Sequence, residues 1–241
     1  MRNEFLSEIR RIATRSSAFG NLLLGKSISE RVIGDCLGHL LRRNGYRIAA
    51  RVSPWKLIAG LPAGSRKAVS RLKSYRHPLQ PDIDILIQDS SHELWGNELK
   101  LIRWREEPPD FVIPKARLYD GLGQALAVAT CGVDYACLWH VFVPPMAAYR
   151  RLEARNPRHA EKIDDERIEF FLAYTGIMIG LLERFELPIG YIALGVFADE
   201  ATRTVRVRPL LPWRDPTRLL PTPTGTRVRS LLLKALGTWD A

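Results

Sequence analysis

From Ser27 to Ser53 the chain reads SISERVIGDCLGHLLRRNGYRIAARVS, and the spacing of its apolar positions changes midway. Ile33, Leu37, Leu40 and Leu41 recur at helical spacing, and Gly45 follows RRN where a helix stop belongs. YRIAARV then reads as a strand, and upstream residues 4–13 make a shorter amphipathic helix. From Pro54 to Gln80 the pattern dissolves into PWKLIAGLPAGSRKAVSRLKSYRHPLQ, an insertion with one short helix expected at 65–75. Two strands follow at about 81–88 and 93–102, joined by DSSH as a hairpin. REEPPDFVIP reads as a loop, and Pro114 opens a helix through KARLYDGLGQALAVATC that Gly132 ends. YACLWHVFV is a buried strand, helices are expected at 147–158 and 164–186, and PIGYIALGVFA and TRTVRVRPLL read as strands. A last short helix falls near 226–236, and no internal repeat is present. Strands and helices in this order argue for an α/β domain with a mixed central sheet flanked by helices.

Composition adds a partner to this picture. Of 241 residues 46% are hydrophobic, and the length is enough for one large folded domain, or one domain with an appendage. The net charge is +10, and the 36 basic residues comprise 8 Lys and 28 Arg. Arg offers planar, bidentate contact to phosphate, so the balance points to a polyanion, although a GC-rich or heat-adapted source genome also raises Arg. Cys36, Cys131 and Cys137 sit among apolar neighbours without CxxC spacing, which reads as buried thiols in a reducing compartment. MRNEFLSEIRR lacks the apolar stretch of a signal peptide, and FFLAYTGIMIGLL (170–182) is too short to span a bilayer. The expectation is a cytoplasmic protein without a membrane partner.

The stretch QPDIDILIQDSSHELWGNELKLI carries charge where a core hairpin should be apolar. Residues two apart on a strand share a face, so Asp82 and Asp84 point one way, and Glu98 and Lys100 share a face of the next strand. If Asp89 pairs with His92 across the turn, Asp84 lies opposite Asn97 and Asp82 opposite Leu99. A solvated edge hairpin also carries charges of both signs. Crowded carboxylates, however, repel one another unless a cation lies between them. With no His or Cys pattern nearby, oxygen donors suit Mg²⁺ or Mn²⁺.

PDID…NELK resembles the signature of the PD-(D/E)xK phosphodiesterase superfamily, which includes restriction endonucleases and archaeal Holliday junction resolvases; the resolvase-like branch is nearest in pattern. The resemblance covers about residues 27–143. It implies a restriction-endonuclease-like core in which an aspartate and Glu98 hold the metal and Lys100 orients or activates the attacking water. The PD pair points to Asp82 as the aspartate, whereas DILI and the short turn point to Asp84. The same branch has a helical glutamate before L…GY, which would make Glu30 a further metal-facing carboxylate and leave Arg31 facing phosphate. Glu30 also closes a capping box with Ser27, and both readings stand. YDGLGQALAVA resembles the helix after the hairpin, where a Gln faces the site; Gln124 is either that residue or a packed helix amide.

Residues 1–26 are then a helical lead-in, and 144–241 are C-terminal helices and strands packed on the core, beyond the resemblance. Within the core, the basic insertion 54–80 carries Lys56, Arg66, Lys67, Arg71, Lys73 and Arg76 with Trp55 and Tyr75, suited to backbone contact and base stacking. His77, His92 and His140 show no pairing for a nucleophile or zinc and read as structural. The expectation is a Mg²⁺- or Mn²⁺-dependent nuclease acting on duplex or branched DNA, with Asp84, Glu98, Lys100, Glu30 and Gln124 catalytic. Cutting both strands would call for a homodimer. The alternative is a nucleic-acid-binding module that keeps the fold without cleaving.

Overall fold

The computed structural model describes residues 2–14, 16–23, 28–59, 82–103, 105–107, 110–112, 119–143, 157–199 and 204–238. In chain order the elements are α1 (Arg2–Thr14), α2 (Ser16–Leu23), α3 (Glu30–Arg43), β1 (Arg47–Val52), α4 (Pro54–Ala59), β2 (Ile83–Gln88) and β3 (Leu94–Arg103). Then come β4 (Arg105–Glu107), β5 (Asp110–Val112), α5 (Leu122–Val128), β6 (Tyr135–Val143), α6 (Pro157–Arg184), β7 (Ile189–Asp199), β8 (Thr204–Arg214) and α7 (Pro223–Thr238). Six strands form one sheet in the order β1-β2-β3-β6-β7-β8. The β3–β6 and β6–β7 pairs are parallel and the outer pairs antiparallel, so the α/β architecture with a mixed sheet is as expected.

Helices cover both faces. Ile85, Ile87, Trp95, Leu99, Trp139 and Leu194 pack under α1, α2 and α3, where Phe5, Ile9, Phe19, Ile33, Leu37 and Leu41 are buried. The opposite face, with Leu86, Leu94, Leu138 and Phe142, packs against Ala125, Val128, Phe171, Met178, Leu182, Leu232 and Leu236 of α5, α6 and α7. Alternate residues of β3 thus serve different cores, which is the period-2 rule acting inside a three-layer fold. The central β6 is buried along its whole length, as a strand covered on both faces must be. All three cysteines are buried and unlinked. No helix among the described residues is long and apolar enough to cross a membrane.

Several elements depart from the sequence expectation. The α3 cap is Ser29, whose Oγ accepts from Val32 N at 3.2 Å; Glu30 is therefore the first helical residue and does not close a box with Ser27. Helix α2 lies within the expected helical lead-in without having been placed as its own element, and α4 had no expectation; at eight and six residues each offers too few turns for a period to register. Residues within REEPPDFVIP, expected as a loop, form the small β4–β5 hairpin, Arg105 facing Val112, from strands too short to alternate visibly. Of the helix expected from Pro114, residues 114–118 lie outside the described residues; the described part turns at 119–121, where Gly121 adopts φ +80°, and is helical from Leu122. Helix α7 starts at Pro223, earlier than expected, with Thr222 Oγ1 accepting from Gly225 N at 2.9 Å. The helix expected at 65–75 lies outside the described residues, as do residues 147–156 of the one expected at 147–158; residues 157–163 belong to α6, one continuous helix to Arg184 where two were expected.

Candidate active site on the β3 edge

The geometry of the site begins in the β2–β3 turn. Asp89 Oδ1 accepts from Ser91 N and Glu93 N, both at 2.9 Å, and Oδ2 accepts from Trp95 Nε1 at 2.9 Å. His92 takes a left-handed φ of 61°. The result is a three-residue loop, in which the left-handed position adds one residue to the second strand. Gln88 therefore pairs with Leu94 and Ile85 with Asn97, a register one residue away from the expected pairing of Asp84 with Asn97. Because a one-residue slip exchanges faces, Asp84 comes opposite Glu98 when the pairing is continued by one step. Asn97 instead turns into the other core, donating to Ile85 O at 2.9 Å and accepting from Trp139 Nε1 at 3.1 Å.

The β2–β3 ladder ends at Ile85–Asn97, but β3 continues to Arg103. Along the β2-facing edge of that stretch, which has no ladder partner among the described residues, side-chain carboxylates take the place of strand carbonyls. Asp84 Oδ2 accepts from Leu99 N at 2.8 Å, and Glu30 Oε1 accepts from Leu101 N at 3.1 Å. Arg103 donates to Ile28 O at 2.6 Å and so fixes the approach to α3 against the end of β3. Two chain-distant acids, Glu30 and Asp84, thus converge on the strand edge that carries Glu98 and Lys100.

Glu98 is 1% exposed, and its Oε1 lies 2.7 Å from Lys100 Nζ. Its Oε2 is buried without a hydrogen-bond partner among the described residues. Glu30 Oε2 stands 3.9 Å from the same ammonium. Burial, reinforced by the charge of Asp84, pushes Glu98 up to about 7 against the pull of Lys100. Burial likewise raises Asp84, opposed by the Leu99 hydrogen bond and Lys100 and reinforced by Glu30 and Asp82. For Lys100 burial disfavours the charge, but the Glu98 hydrogen bond and the three nearby carboxylates outweigh it and its pKa rises. The group is thus overloaded with negative charge, and Lys100 is the cation that partly neutralises it. As they stand, no three His, Cys, Asp or Glu side chains among the described residues form a group that could hold a metal ion.

Of the two candidate aspartates, Asp84 lies on β2 beside the group, whereas Asp82 precedes the strand and is exposed. Gln124 lies on α5, half-buried, and no hydrogen bond among the described residues joins it to the acids. Arg31 is exposed and within 3.9 Å of Asp35 on its own helix. Lys56 is exposed on α4, while Arg66, Lys67, Arg71, Lys73 and Arg76 lie outside the described residues. One contact had no sequence expectation. Gly121 lies flush on the Lys100 stem: a Cβ there would come within 2.6 Å of Lys100 Cγ and 2.8 Å of Leu138 Cδ1. The YDG triplet, a turn signal inside an expected helix, was the available hint.

Comparison with protein-family models, curated proteins and solved structures found no match to this chain.

Proposed function

We propose that the chain is a divalent-metal-dependent nuclease of the PD-(D/E)xK kind, with a restriction-endonuclease-like core, that hydrolyses phosphodiester bonds in DNA. One observation carries this reading: Asp84, Glu98, Glu30 and Lys100 converge where β3 runs on beyond its β2 ladder, and Glu98 keeps a buried carboxylate oxygen without a donor among the described residues. An unpartnered buried carboxylate oxygen is costly, and a cation there would remove that cost.

The donor chemistry fits Mg²⁺ or Mn²⁺, hard ions that take carboxylate oxygens. Asp84 and Glu98 would hold the ion, with Glu30 as a third carboxylate and the exposed Asp82 outside it. Such an ion supplies charge stabilisation at the scissile phosphate and a more acidic bound water. Lys100, whose pKa is raised, acts as an ammonium and not as a base. It donates to the attacking water and opposes charge developing on the phosphate. Gly121 holds the Lys100 stem in place, and Gln124 on the following helix turn is a candidate phosphate contact. The net charge of +10 supplies attraction to duplex or branched DNA, and cutting of both strands would call for a homodimer.

A second reading, a nucleic-acid-binding module that does not cleave, draws on the same edge. Asp84 and Glu30 each spend an oxygen on a β3 amide, so they also serve as caps for the β2-facing edge of the strand.

The deciding experiment is cleavage of plasmid and branched DNA at roughly millimolar Mg²⁺ or Mn²⁺, comparing wild type, Glu98→Ala and an EDTA control. Metal-dependent cutting that disappears in the variant is the expected result. Absence of cutting on every substrate, with DNA still bound, would leave the binding module.

A further inference from the structure

Behind Lys100 lies a polar group that the proposed chemistry does not use. The parallel register of β3 and β6 pairs Lys100 with His140, which is fully buried. His140 Nε2 lies 3.0 Å from the carbonyl oxygen of Asp120, and Nδ1 lies 3.0 Å from the hydroxyl of Tyr191 on β7. A carbonyl only accepts, so Nε2 carries the proton. Burial draws the imidazole pKa down to about 4, and the ring is neutral at pH 7. Nδ1 must then present its lone pair to the Tyr191 hydroxyl, so both ring nitrogens and the tautomer are fixed.

The Asp120 carbonyl belongs to the turn that ends in Gly121, and Gly121 is the residue lying on the Lys100 stem. A displacement of that turn by a few tenths of an ångström would either press on Lys100 Cγ or release it. The chain of contacts therefore runs from the Tyr191 hydroxyl through His140 and the Asp120–Gly121 backbone to the ammonium on Glu98.

We infer that His140 is a positioning residue that holds the Asp120–Gly121 turn against Lys100 and thereby seats the Lys100 ammonium on Glu98. The catalytic consequence rests on the nuclease reading; the seating of Lys100 does not. An ordinary buried core histidine would support stability alone, and the two roles separate by which ring nitrogen is replaced.

His140→Gln places an amide donor near the Nε2 position and keeps the bond to Asp120. His140→Asn offers a polar group only near Nδ1, serving Tyr191 and abandoning Asp120. Two readouts are taken on folded protein: the acetylation rate of Lys100 relative to the exposed Lys56, read by mass spectrometry, and kcat and KM for metal-dependent DNA cleavage. The Gln variant is expected to match wild type in both. The Asn variant is expected to acetylate at Lys100 about tenfold faster and to lose about 10- to 100-fold in kcat with KM unchanged, the usual cost of a misplaced catalytic group. Equal behaviour of the two variants, whether both normal or both impaired, would overturn the inference. If wild type cuts no DNA, the nuclease reading fails alone, and the acetylation ratio still decides the role of His140.

Discussion

Gly121 and Lys100 occupy space that admits no additional atom: a Cβ on Gly121 would lie 2.6 Å from Lys100 Cγ and 3.2 Å from Lys100 Cε. Gly121 also holds φ at +80°, a conformation unfavourable for residues with a Cβ. Gly121→Ala therefore meets two obstacles. The backbone resists relaxing, so the flexible lysine stem is what gives way, carrying the ammonium off Glu98. The variant should lose about 1–3 kcal/mol in urea denaturation, the range for backbone strain of this kind, and should lose cleavage beyond that loss of stability. Unchanged stability and unchanged cleavage together would show that the turn has slack.

Asp84 combines a cap and a charge, and two substitutions pull them apart. Asp84→Asn keeps an oxygen that can accept from Leu99 N, and it removes one of the crowded negative charges. Its stability should equal or exceed that of wild type. Asp84→Ala leaves the Leu99 amide without its acceptor, at a cost of roughly 1–3 kcal/mol. Both should abolish metal-dependent cutting. If the Asn variant cuts at the wild-type rate, the carboxylate is a strand cap and nothing more.

The strands were legible because a buried strand in a three-layer fold reads as an apolar run, as YACLWHVFV does. The acids were legible because charge inside such a run breaks the pattern. Their register was not legible, since it depends on His92 adopting a left-handed conformation, and no local residue pattern announced it. That single extra residue is what brings Asp84 across from Glu98 in place of Asn97. The hydrogen bond of Glu30 to Leu101 joins residues 71 apart and could not come from spacing on a helix. Gly121 and His140 were missed for the same reason, because their partners belong to other elements.

Asn97 offers a check on the register itself. Buried at the pair with Ile85, it donates to Ile85 O and Trp95 O and accepts from the indole of Trp139. Asn97→Leu leaves the Trp139 indole N–H and the Ile85 carbonyl unmatched, so a loss of about 2–4 kcal/mol is expected from two buried polar groups. Asn97→Asp keeps the acceptor for Trp139 but adds a buried charge near the acids, and should be less stable at pH 8 than at pH 5. A solvent-exposed Asn97, as on a hairpin slipped by one residue, would make both changes nearly neutral.

Glu98 gives the site a dependence on pH opposite to that of most carboxylates. Its folded pKa lies near 7 and its ordinary value is 4.5. Between these limits the folded protein binds the proton and the unfolded chain has lost it. Stability from this group is therefore full below about 4.5 and declines as pH rises to about 7, by roughly 3 kcal/mol in total at 1.36 kcal/mol per unit. Other carboxylates superimpose their own slopes, so the informative quantity is the difference between Glu98→Gln and wild type in EDTA. That difference should favour Gln increasingly from pH 4.5 to 8. Adding Mg²⁺ or Mn²⁺ at pH 8 should stabilise wild type selectively, because an ion binds the charged carboxylate and the amide is a weaker ligand. A difference that stays flat with pH would mean that Glu98 is ionised at ordinary acidity, held by Lys100 alone. In that case the unpartnered Oε2 would give no reason to place a cation at the β3 edge.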